Sequence, residues 1–596
     1  MKHLFQGVSI TTLVLSIWVP SIAQGISNSQ NTVTDRVPIN SRLLSQAQTG
    51  TFDSKDFNFW ANQCRVLENE QNYTEALAAC EKAIALQPKV KNPQLWASRS
   101  NVLFQLKKYA EAIASYDFLL SFSPKDSLAW LRRCEALYQL GKYENAIASC
   151  EQALRIDGSW GNASPADSWY NRGLAQRKLG QNEAALTSFE RVLTLKSDNA
   201  LALVQRCGTL TDLGRYEEAI ASCDLAKDTL PVEALTNKAI AQQKAGKLQD
   251  AIASYDQVLA INPNDATAWT NQAIILEKLD DPEKALISYN RAVKINPKSS
   301  LAQVNRCAIL NKQGNYKEAF EACEGAIAGD GIWGDRNPAY VWYQSSSALN
   351  GLGQYQEAIT SAERAININP ELAEAWNNKG VSFWHLQKYQ NSLFSFQKAV
   401  EINPKYSQAW FNQGRILSAL KEFTLAVEAY DKALSNPIKS VETLTCNNIL
   451  SRSYEQPTEN IDKFEELLID AKIFCANVLA NKSVALRYLE DYENALTAAT
   501  QATNINYKSF EAWYNLGIIL VDLQQYNAAL DAYNQAESLS PNNFYLLTSK
   551  GIALERMGED QKALEAFDAA LNIDPDYEPA QYHRDLLVEK FKLQTE

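Results

Sequence analysis

The sequence is poor in histidine and has no basic block. Only His3, His385 and His583 occur among 596 residues, which leaves little material for general acid–base catalysis or a histidine-rich metal site. Lys and Arg number 57 against 69 Asp and Glu, a formal charge of −12, and the two signs are interspersed. Because a nucleic-acid binder needs a basic footprint, the composition predicts no nucleic-acid partner and disfavours an enzyme.

Long hydrophobic runs are absent beyond the N-terminus. There, Lys2 precedes an apolar run over residues 8–19, and the small residues Ser21 and Ala23 follow. This pattern predicts a secretory signal peptide over residues 1–23. The alternative is an uncleaved membrane anchor, but the run is shorter than the roughly 20 residues that span a bilayer. Residues 24–56, rich in Ser, Asn, Gln and Thr without a sustained period, predict a flexible leader.

What the chain does have is a repeat of 34 residues, the separation of Gly517 from Gly551 and of Ala529 from Ala563. Each unit is numbered from a start such as Phe510, so that Gly517 is position 8 and Ala529 is position 20. Position 8 is then a small residue in fourteen units, and position 20 is Ala in all of them except the one with Ser392. Position 4 is often Trp, position 24 usually aromatic and position 32 often Pro. Small residues fixed on two successive helices let their backbones approach closely, and Pro ends the second helix. Each unit is therefore predicted to be a helical hairpin.

These registered positions resemble the pattern of Trp, Gly, Ala, aromatic and Pro residues in tetratricopeptide repeats, over residues 57–577. The resemblance implies an all-α fold, a right-handed α-solenoid or superhelix of about fifteen tetratricopeptide helix hairpins, whose first helices line a concave face. We predict such repeats over residues 57–438 and 476–577. Residues 439–475 lose the small-residue signature and are predicted to form one degenerate repeat, and residues 578–596 a capping helix.

Two insertions lengthen the repeat at equivalent points. They carry the segments Asp-Gly-Ser-Trp-Gly at residues 157–161 and Asp-Gly-Ile-Trp-Gly at residues 330–334. The match suggests a duplicated block. Trp160 and Trp333 either present exposed rings to a partner or pack back over a neighbouring helix.

Eight of the ten cysteines occupy positions 8 and 24 of the same unit, and where one of these positions is Cys the other is too. Because repeats are displaced by about 10 Å, pairing between units would mostly exceed the span of a disulfide, so each partner is predicted within its own unit. A zinc or redox site is the alternative, but two ligands per unit are too few for zinc and no CxxC motif occurs. The two remaining cysteines pair by exclusion. The predicted pairs are Cys64–Cys80, Cys134–Cys150, Cys207–Cys223, Cys307–Cys323 and Cys446–Cys475.

Asparagine recurs at position 6 of the first helix. An amide both donates and accepts hydrogen bonds, so a row of amides can hold a peptide backbone without reading its side chains. The row resembles the asparagine ladder of peptide-holding tetratricopeptide arrays, although Asn is also the usual consensus choice at this position. It is interrupted at Arg132, Gln205, Gln344 and Ser549. Asn237, Asn271 and Asn305 are expected to face solvent in the free protein. The predicted peptide-binding residues are Asn62, Asn171, Asn237, Asn271, Asn305, Asn378, Asn412, Asn481 and Asn515.

The predicted function is a non-catalytic scaffold that binds proteins or peptides outside the cytoplasm, with no cofactor and no metal. One alternative is the adaptor part of a glycosyltransferase or another enzyme complex, although no catalytic motif is present. Another is a binder of cell-wall or extracellular glycan through concave-face rings. A bacterial periplasm or exterior, or a thylakoid lumen, fits these features, without membrane insertion after signal cleavage. The candidate glycan-binding rings are Tyr343, Trp384, Phe411 and Tyr514.

Overall fold

The computed structural model describes residues 56–156, 158–438, 441–451 and 461–595. The predicted signal peptide, and the predicted leader up to residue 55, lie outside these residues. The described chain divides into two compact units, residues 56–295 and residues 296–595. Both are built of consecutive antiparallel helical hairpins, so the predicted all-α solenoid is confirmed.

The first unit contains seven hairpins, each formed by two successive helices. Its helices are α1 Phe57–Asn69, α2 Tyr73–Leu86, α3 Pro93–Gln105, α4 Tyr109–Phe122, α5 Ser127–Gln139, α6 Tyr143–Arg155, α7 Pro165–Lys178, α8 Asn182–Leu195, α9 Ala200–Asp212, α10 Tyr216–Ala226, α11 Pro231–Lys244, α12 Leu248–Ile261, α13 Ala266–Lys278 and α14 Pro282–Ile295.

The second unit continues the pattern and adds a short β-hairpin. Its elements are α15 Ser300–Lys312, α16 Tyr316–Ile327, α17 Pro338–Gly351, α18 Tyr355–Ile368, α19 Ala373–His385, α20 Tyr389–Ile402, α21 Ser407–Ala419, α22 Phe423–Ser435, β1 Pro437–Ile438, β2 Val441–Thr445, α23 Cys446–Ser451, α24 Ile461–Tyr488, α25 Tyr492–Ile505, α26 Phe510–Asp522, α27 Tyr526–Leu539, α28 Phe544–Arg556, α29 Asp560–Ile573 and α30 Glu578–Thr595.

Local signals at the helix ends explain why the hairpins form where they do. Asp126 caps α5 by accepting a hydrogen bond from the Ala129 N–H at 2.9 Å, which satisfies one of the free donors of the first turn. The turn from α5 to α6 passes through Gly141 at φ +72°, a left-handed conformation that glycine adopts without steric cost. In the turn between α3 and α4, Lys107 takes this conformation instead, at φ +59°.

The small residues close the hairpins as the sequence predicts. The position-20 alanines of the described hairpins, such as Ala251 and Ala426, are fully buried. At position 8 a glycine lies directly under the aromatic ring at position 24. A Cβ atom added to Gly414 would lie 2.5 Å from Cε1 of Tyr430, so any larger residue would push the ring away.

The tryptophans at position 4 join consecutive hairpins rather than fill the interior of one. The indole N–H of Trp269 donates to the Pro263 carbonyl at 3.0 Å, and that of Trp410 donates to the Pro404 carbonyl at 2.8 Å. Each carbonyl belongs to the turn that precedes the hairpin of the tryptophan. Position 4 and position 32 of the preceding repeat therefore form one hydrogen-bonded junction.

Within each unit, the first helices of the hairpins form the more tightly packed layer. First helices of consecutive hairpins approach each other, as α1 with α3, α9 with α11, and α17 with α19. The second helices of consecutive described hairpins make no comparable contacts. We call the surface of the first helices the inner face of each unit. The first helices are α1, α3, α5, α7, α9, α11 and α13, and then α15, α17, α19, α21, the second half of α24, α26 and α28.

Both insertions fold against the start of the first helix of their own hairpin. In the first, the Leu128 N–H donates to the Ser159 carbonyl at 3.0 Å. In the second, the Asp330 N–H donates to the carbonyl of Lys298, just before the start of α15, at 2.8 Å. Trp160 is partly buried against the core of its hairpin, which agrees with the packing alternative. Trp333 is also partly buried.

The predicted degenerate repeat departs from the hairpin pattern. Strands β1 and β2 pair antiparallel where a first helix would stand in a regular unit. After the short helix α23 comes α24, which is 28 residues long, about twice the length of a regular repeat helix. It runs through residues 475 and 476, where the degenerate repeat was predicted to end and the next regular repeat to begin. Its last part serves as the first helix of the next hairpin, because it packs on α25 and approaches α26.

The last helix, α30, covers the end of the second unit. It packs on α29 through Ala580 and Leu587, which are buried. Its remaining surface carries exposed polar residues and also the exposed side chains of Tyr582, Leu586 and Leu593, and Arg584 pairs with Asp568 of α29 at 2.5 Å. A helix with one apolar side is what a terminal repeat needs to shield its open core.

Candidate functional site

The position-6 asparagines divide into an exposed or partly exposed set and a buried set. The expectation of solvent exposure is wrong for Asn271 and Asn305, which expose only 2% and 3% of their surface, and Asn412 is buried as well, at 3%. Asn305 and Asn412 lie on first helices that pack against the first helix of a neighbouring hairpin. The exposed or partly exposed set is Asn62, Asn171, Asn237, Asn378, Asn481 and Asn515.

In five of these six asparagines the amide nitrogen is used by the fold itself, whereas the side-chain oxygen of Asn62 accepts a hydrogen bond from the Arg65 guanidinium at 3.1 Å. The side-chain nitrogens of Asn171, Asn237 and Asn481 donate to the carbonyl four residues earlier in the same helix, at 2.8–2.9 Å. Those of Asn378 and Asn515 donate to carbonyls of the preceding first helix, at 3.4 and 3.2 Å. The amide is thereby oriented with its nitrogen towards the backbone, which leaves the side-chain oxygen as the available acceptor.

The buried set links helices instead. The side-chain nitrogen of Asn412 on α21 donates to Oδ1 of Asn377 on α19 at 2.9 Å. A buried amide pair of this kind contributes to the stacking of hairpins, and it offers little surface to a ligand.

The interruptions of the row are structural as well. Arg132 pairs with Glu135 at 2.7 Å. Burial raises the pKa of the Glu135 carboxyl above its usual value, and the nearby Arg132 offsets only part of this rise. Gln344 is fully buried and accepts a hydrogen bond from the side-chain nitrogen of Asn311 at 2.9 Å. Gln344 therefore offers no surface to a partner, and Arg132 is held by its ion pair with Glu135.

The aromatic rings proposed for glycan binding also divide in two. Tyr343 and Phe411 are buried, with 5% and 6% of their surface exposed, so the expectation of exposed rings is wrong for these two. They pack at the contact between consecutive hairpins. Trp384 and Tyr514 are partly exposed, and the Tyr514 hydroxyl lies 3.1 Å from the Ser549 hydroxyl.

Arg415 on α21 is a feature that the sequence did not single out. Its guanidinium carbon lies 4.8 Å from the centre of the Trp384 ring and 5.8 Å from that of Phe411. Burial lowers the pKa of Arg415. Nothing in the sequence distinguishes it from the other arginines of the first helices, because only the surroundings of its head group differ.

The ten cysteines form five close pairs, the ones that the sequence predicts. Their Cα atoms are 5.0–5.5 Å apart and every pair lies at bonding distance. The first four pairs stand at positions 8 and 24, where five other hairpins place a glycine under a ring. Cys446 and Cys475 tie the short helix α23 to α24.

Among the described residues, no cluster of three or more His, Cys, Asp or Glu side chains is placed to hold a metal ion. None of the described helices has the length and apolar character needed to cross a membrane.

The fold and the inner face define a repeat protein of the helical-hairpin solenoid class. Family models described as tetratricopeptide repeat match residues 61–126, 126–198, 170–234, 236–300, 339–372, 373–406, 395–428, 510–543 and 545–577. These matches cover more than half of the chain, so the chain belongs to the tetratricopeptide-repeat family. Proteins with this fold typically serve in protein–protein interaction.

A search of the curated proteins found no match. Among solved structures, the chain is similar to one from the APC/C hetero-tetramer Cut9–Hcn1, with 15% identity, coverage of 91% of this chain and 98% of that one, and a TM-score of 0.36. YrrB, described as a TPR protein with an unusual peptide-binding site, shows 19% identity over 38% of this chain and 97% of its own, with a TM-score of 0.27. MamA shows 20% identity over 30% and 94%, with a TM-score of 0.27.

Proposed function

We propose that this protein is a non-catalytic scaffold that holds extended segments of partner proteins on the inner faces of its two units. The observation that carries the proposal is the orientation of the partly exposed asparagines. In five of the six, the side-chain nitrogen is bonded to the fold, which leaves the oxygen as the acceptor available to a ligand on the first helices. A peptide backbone has one N–H donor per non-proline residue, so it is a ligand that such acceptors suit.

The proposal includes export. Disulfides form and persist outside the reducing cytosol, and this chain places all ten of its cysteines in pairs at bonding distance. Together with the signal-like N-terminus, which precedes the described residues, this supports a periplasmic, extracellular or thylakoid-lumen location. An adaptor role within a larger enzyme complex remains compatible with the same binding face.

Site-specific photo-crosslinking in the exported fraction tests which face binds. A benzoylphenylalanine is introduced at Asn237, on a first helix, or at Ile261, which is exposed at the end of a second helix. We expect partner peptides to be linked to position 237 and not to position 261. Linking from position 261 alone would contradict the proposal.

The contribution of the oxygens is tested on the partner so identified. The double substitution Asn171→Ala and Asn237→Ala is expected to weaken binding by about 0.5–1.5 kcal/mol for each lost hydrogen bond. Asn264→Ala, in an exposed turn between α12 and α13, is the matched control and should leave the affinity unchanged. Equal affinity of all variants would show that the asparagines serve only the fold.

A further inference from the structure

The outward side of helix α30 carries apolar side chains, whereas a helix that closes a repeat array is expected to be polar there. Tyr582, Leu586 and Leu593 expose 63%, 42% and 69% of their surfaces. Together with Glu589, which is also exposed, they fall within about 60° of the helix circumference. We call these four residues the α30 stripe. It lies on the side of the helix opposite the buried contact with α29.

The spacing of the α30 stripe suits the packing of two helices along a shared seam. Its members are separated by four, three and four residues, the spacing that keeps side chains on one seam of a helical pair. The spacing reads the same in both directions. An antiparallel second copy of α30 therefore places Tyr582 against Leu593 of the second copy, and Leu586 against Glu589 of the second copy. Each contact then occurs twice, as a two-fold symmetric interface requires.

The charges beside the α30 stripe match the same antiparallel arrangement. Asp585 and Lys592 are exposed, and both lie on the same flank of the stripe. With Tyr582 opposite Leu593, Asp585 of one copy lies about 3 Å along the helix axis from Lys592 of the other. A parallel arrangement would instead bring Asp585 beside Asp585 and Lys592 beside Lys592, and like charges at an interface disfavour it.

A cleft beside the stripe adds to this complementarity. The cleft, of about 640 Å³, lies between α29 and α30, and its charged lining residues are Asp568, Arg584 and Asp585. The Arg584 guanidinium pairs with both carboxylates, at 2.5 and 3.5 Å. Two carboxylates and one guanidinium leave an excess of negative charge in the lining, which an ammonium group from a second copy would neutralise.

We propose that two copies of this protein form a symmetric dimer in which their α30 helices pack antiparallel along the α30 stripe. Lys592 of each copy lies beside Asp585 of the other, at the mouth of its cleft. Three exposed apolar side chains per copy make a small interface, so the dimer is weak and depends on concentration. The two Glu589 carboxylates come close to each other at the two-fold axis, which limits its strength further. No first helix takes part, so the dimer is independent of the proposed function.

Sedimentation of the full chain over a range of micromolar concentrations tests for the dimer. We expect a reversible shift from the mass of one chain to that of two. L586E places a charge against Glu589 of the second copy and should leave only monomers, with unchanged helicity by circular dichroism. L539E is the matched control, because Leu539 at the end of α27 is 40% exposed, close to the 42% of Leu586. It should keep the dimer. A chain that is monomeric at every concentration, or a dimer that survives L586E, overturns the proposal.

Exchanging the flanking charges tests the antiparallel register. D585K and K592D each bring like charges together twice in the dimer, and each is expected to weaken dimerisation roughly tenfold. The double variant D585K/K592D restores opposite charges across the interface and should recover most of the affinity. E589L removes the repulsion at the two-fold axis and should strengthen the dimer. A double variant no better than the single ones, or a dimer weakened by E589L, contradicts this register.

Photo-crosslinking identifies the neighbour of the stripe directly. Benzoylphenylalanine replaces Tyr582 in the full chain, and isotope-labelled and unlabelled chains are mixed before irradiation, so that links between copies are recognised by mass spectrometry. We expect links between the two kinds of chain, at Leu593 or the residues next to it. Links from position 582 to position 582 of the other copy would indicate a parallel pair. That result, or links only to helices other than α30, overturns the proposal.

Discussion

Two of the arrangements that close hairpins in this protein differ sharply although they use the same pair of positions. In hairpin α5–α6, Cys134 and Cys150 face each other with Cα atoms 5.4 Å apart. In hairpin α26–α27, Gly517 lies under Tyr533, with so little space that an added Cβ would be 2.3 Å from Cε1 of the ring. Both solutions are fully buried. One geometry can therefore be held by a covalent bond between small side chains or by a large ring on a glycine.

The two arrangements differ in the conditions that weaken them. A ring on a glycine contributes through burial and packing, which depend on temperature and solvent but not on redox conditions. A disulfide acts mainly on the unfolded chain and is lost under reducing conditions. The four hairpins with cysteines at these positions are thus expected to respond to reductant, whereas hairpins such as α26–α27 are not.

The largest expected effect comes from removing the ring. Tyr533→Ala leaves a cavity in a fully packed contact and is expected to cost about 3–5 kcal/mol. Hydrogen exchange read at α26 and α27 measures this locally, since a repeat array need not unfold as one unit. Tyr507→Ala, at a ring that is 67% exposed, is the control and should change protection little. Similar losses for both variants would contradict the closure role.

Removing the disulfide between Cys134 and Cys150 is expected to have the second-largest effect on stability. Replacing Cys134 and Cys150 by Ser is expected to cost about 3 kcal/mol, the chain-entropy estimate for a loop of roughly 15 residues. Reductant should produce the same loss of protection in α5 and α6 of the parent protein, while α26 and α27 stay unchanged. Peptide mapping without reductant should recover the linked pair from exported protein. Free thiols at these sites would remove the support for an oxidising compartment.

Adding a methyl group at the glycine beneath the ring should reduce the stability of the hairpin by a smaller amount. Gly517→Ala forces the Tyr533 ring to move and is expected to cost about 1–3 kcal/mol, measured by exchange in the same hairpin. Ser483→Ala is the matched control at position 8 of the neighbouring hairpin, where position 24 is Ala499 and no ring is present. If Gly517→Ala is as mild as the control, the ring has room that the structure does not show.

The smallest effect on stability is expected away from the closure positions. Asn237→Ala on the inner face should change the free energy of unfolding by no more than about 0.5 kcal/mol, because its side chain bonds only within its own helix. Asn412→Ala removes a buried donor to Asn377 and should cost about 1 kcal/mol. Thermal unfolding and local exchange compare the two. Equal costs would show that burial does not divide the asparagine row.

Much of the fold could be predicted because the pattern repeats. The hairpin register follows from small residues such as Gly517 and Ala529, and the pairing of Cys64 with Cys80 follows from their shared unit. The break at β1 and β2 could not be derived in this way. There the periodic signal is lost, and residues 439–475 keep only their length, which does not distinguish a helical pair from a short sheet beside a long helix.

The sequence by itself determined which positions of each hairpin meet, because those contacts lie within one 34-residue unit and are written in its spacing. Only the tertiary structure decided how each inner-face residue is covered. Asn237 and Asn412 occupy the same repeat position, yet the first is partly exposed and the second buried. Arg415 and Arg487 are the same residue type, yet only Arg487 has a carboxylate partner among the described residues. Exposure and charge pairing depend on side chains of the neighbouring hairpin, and these vary from one repeat to the next.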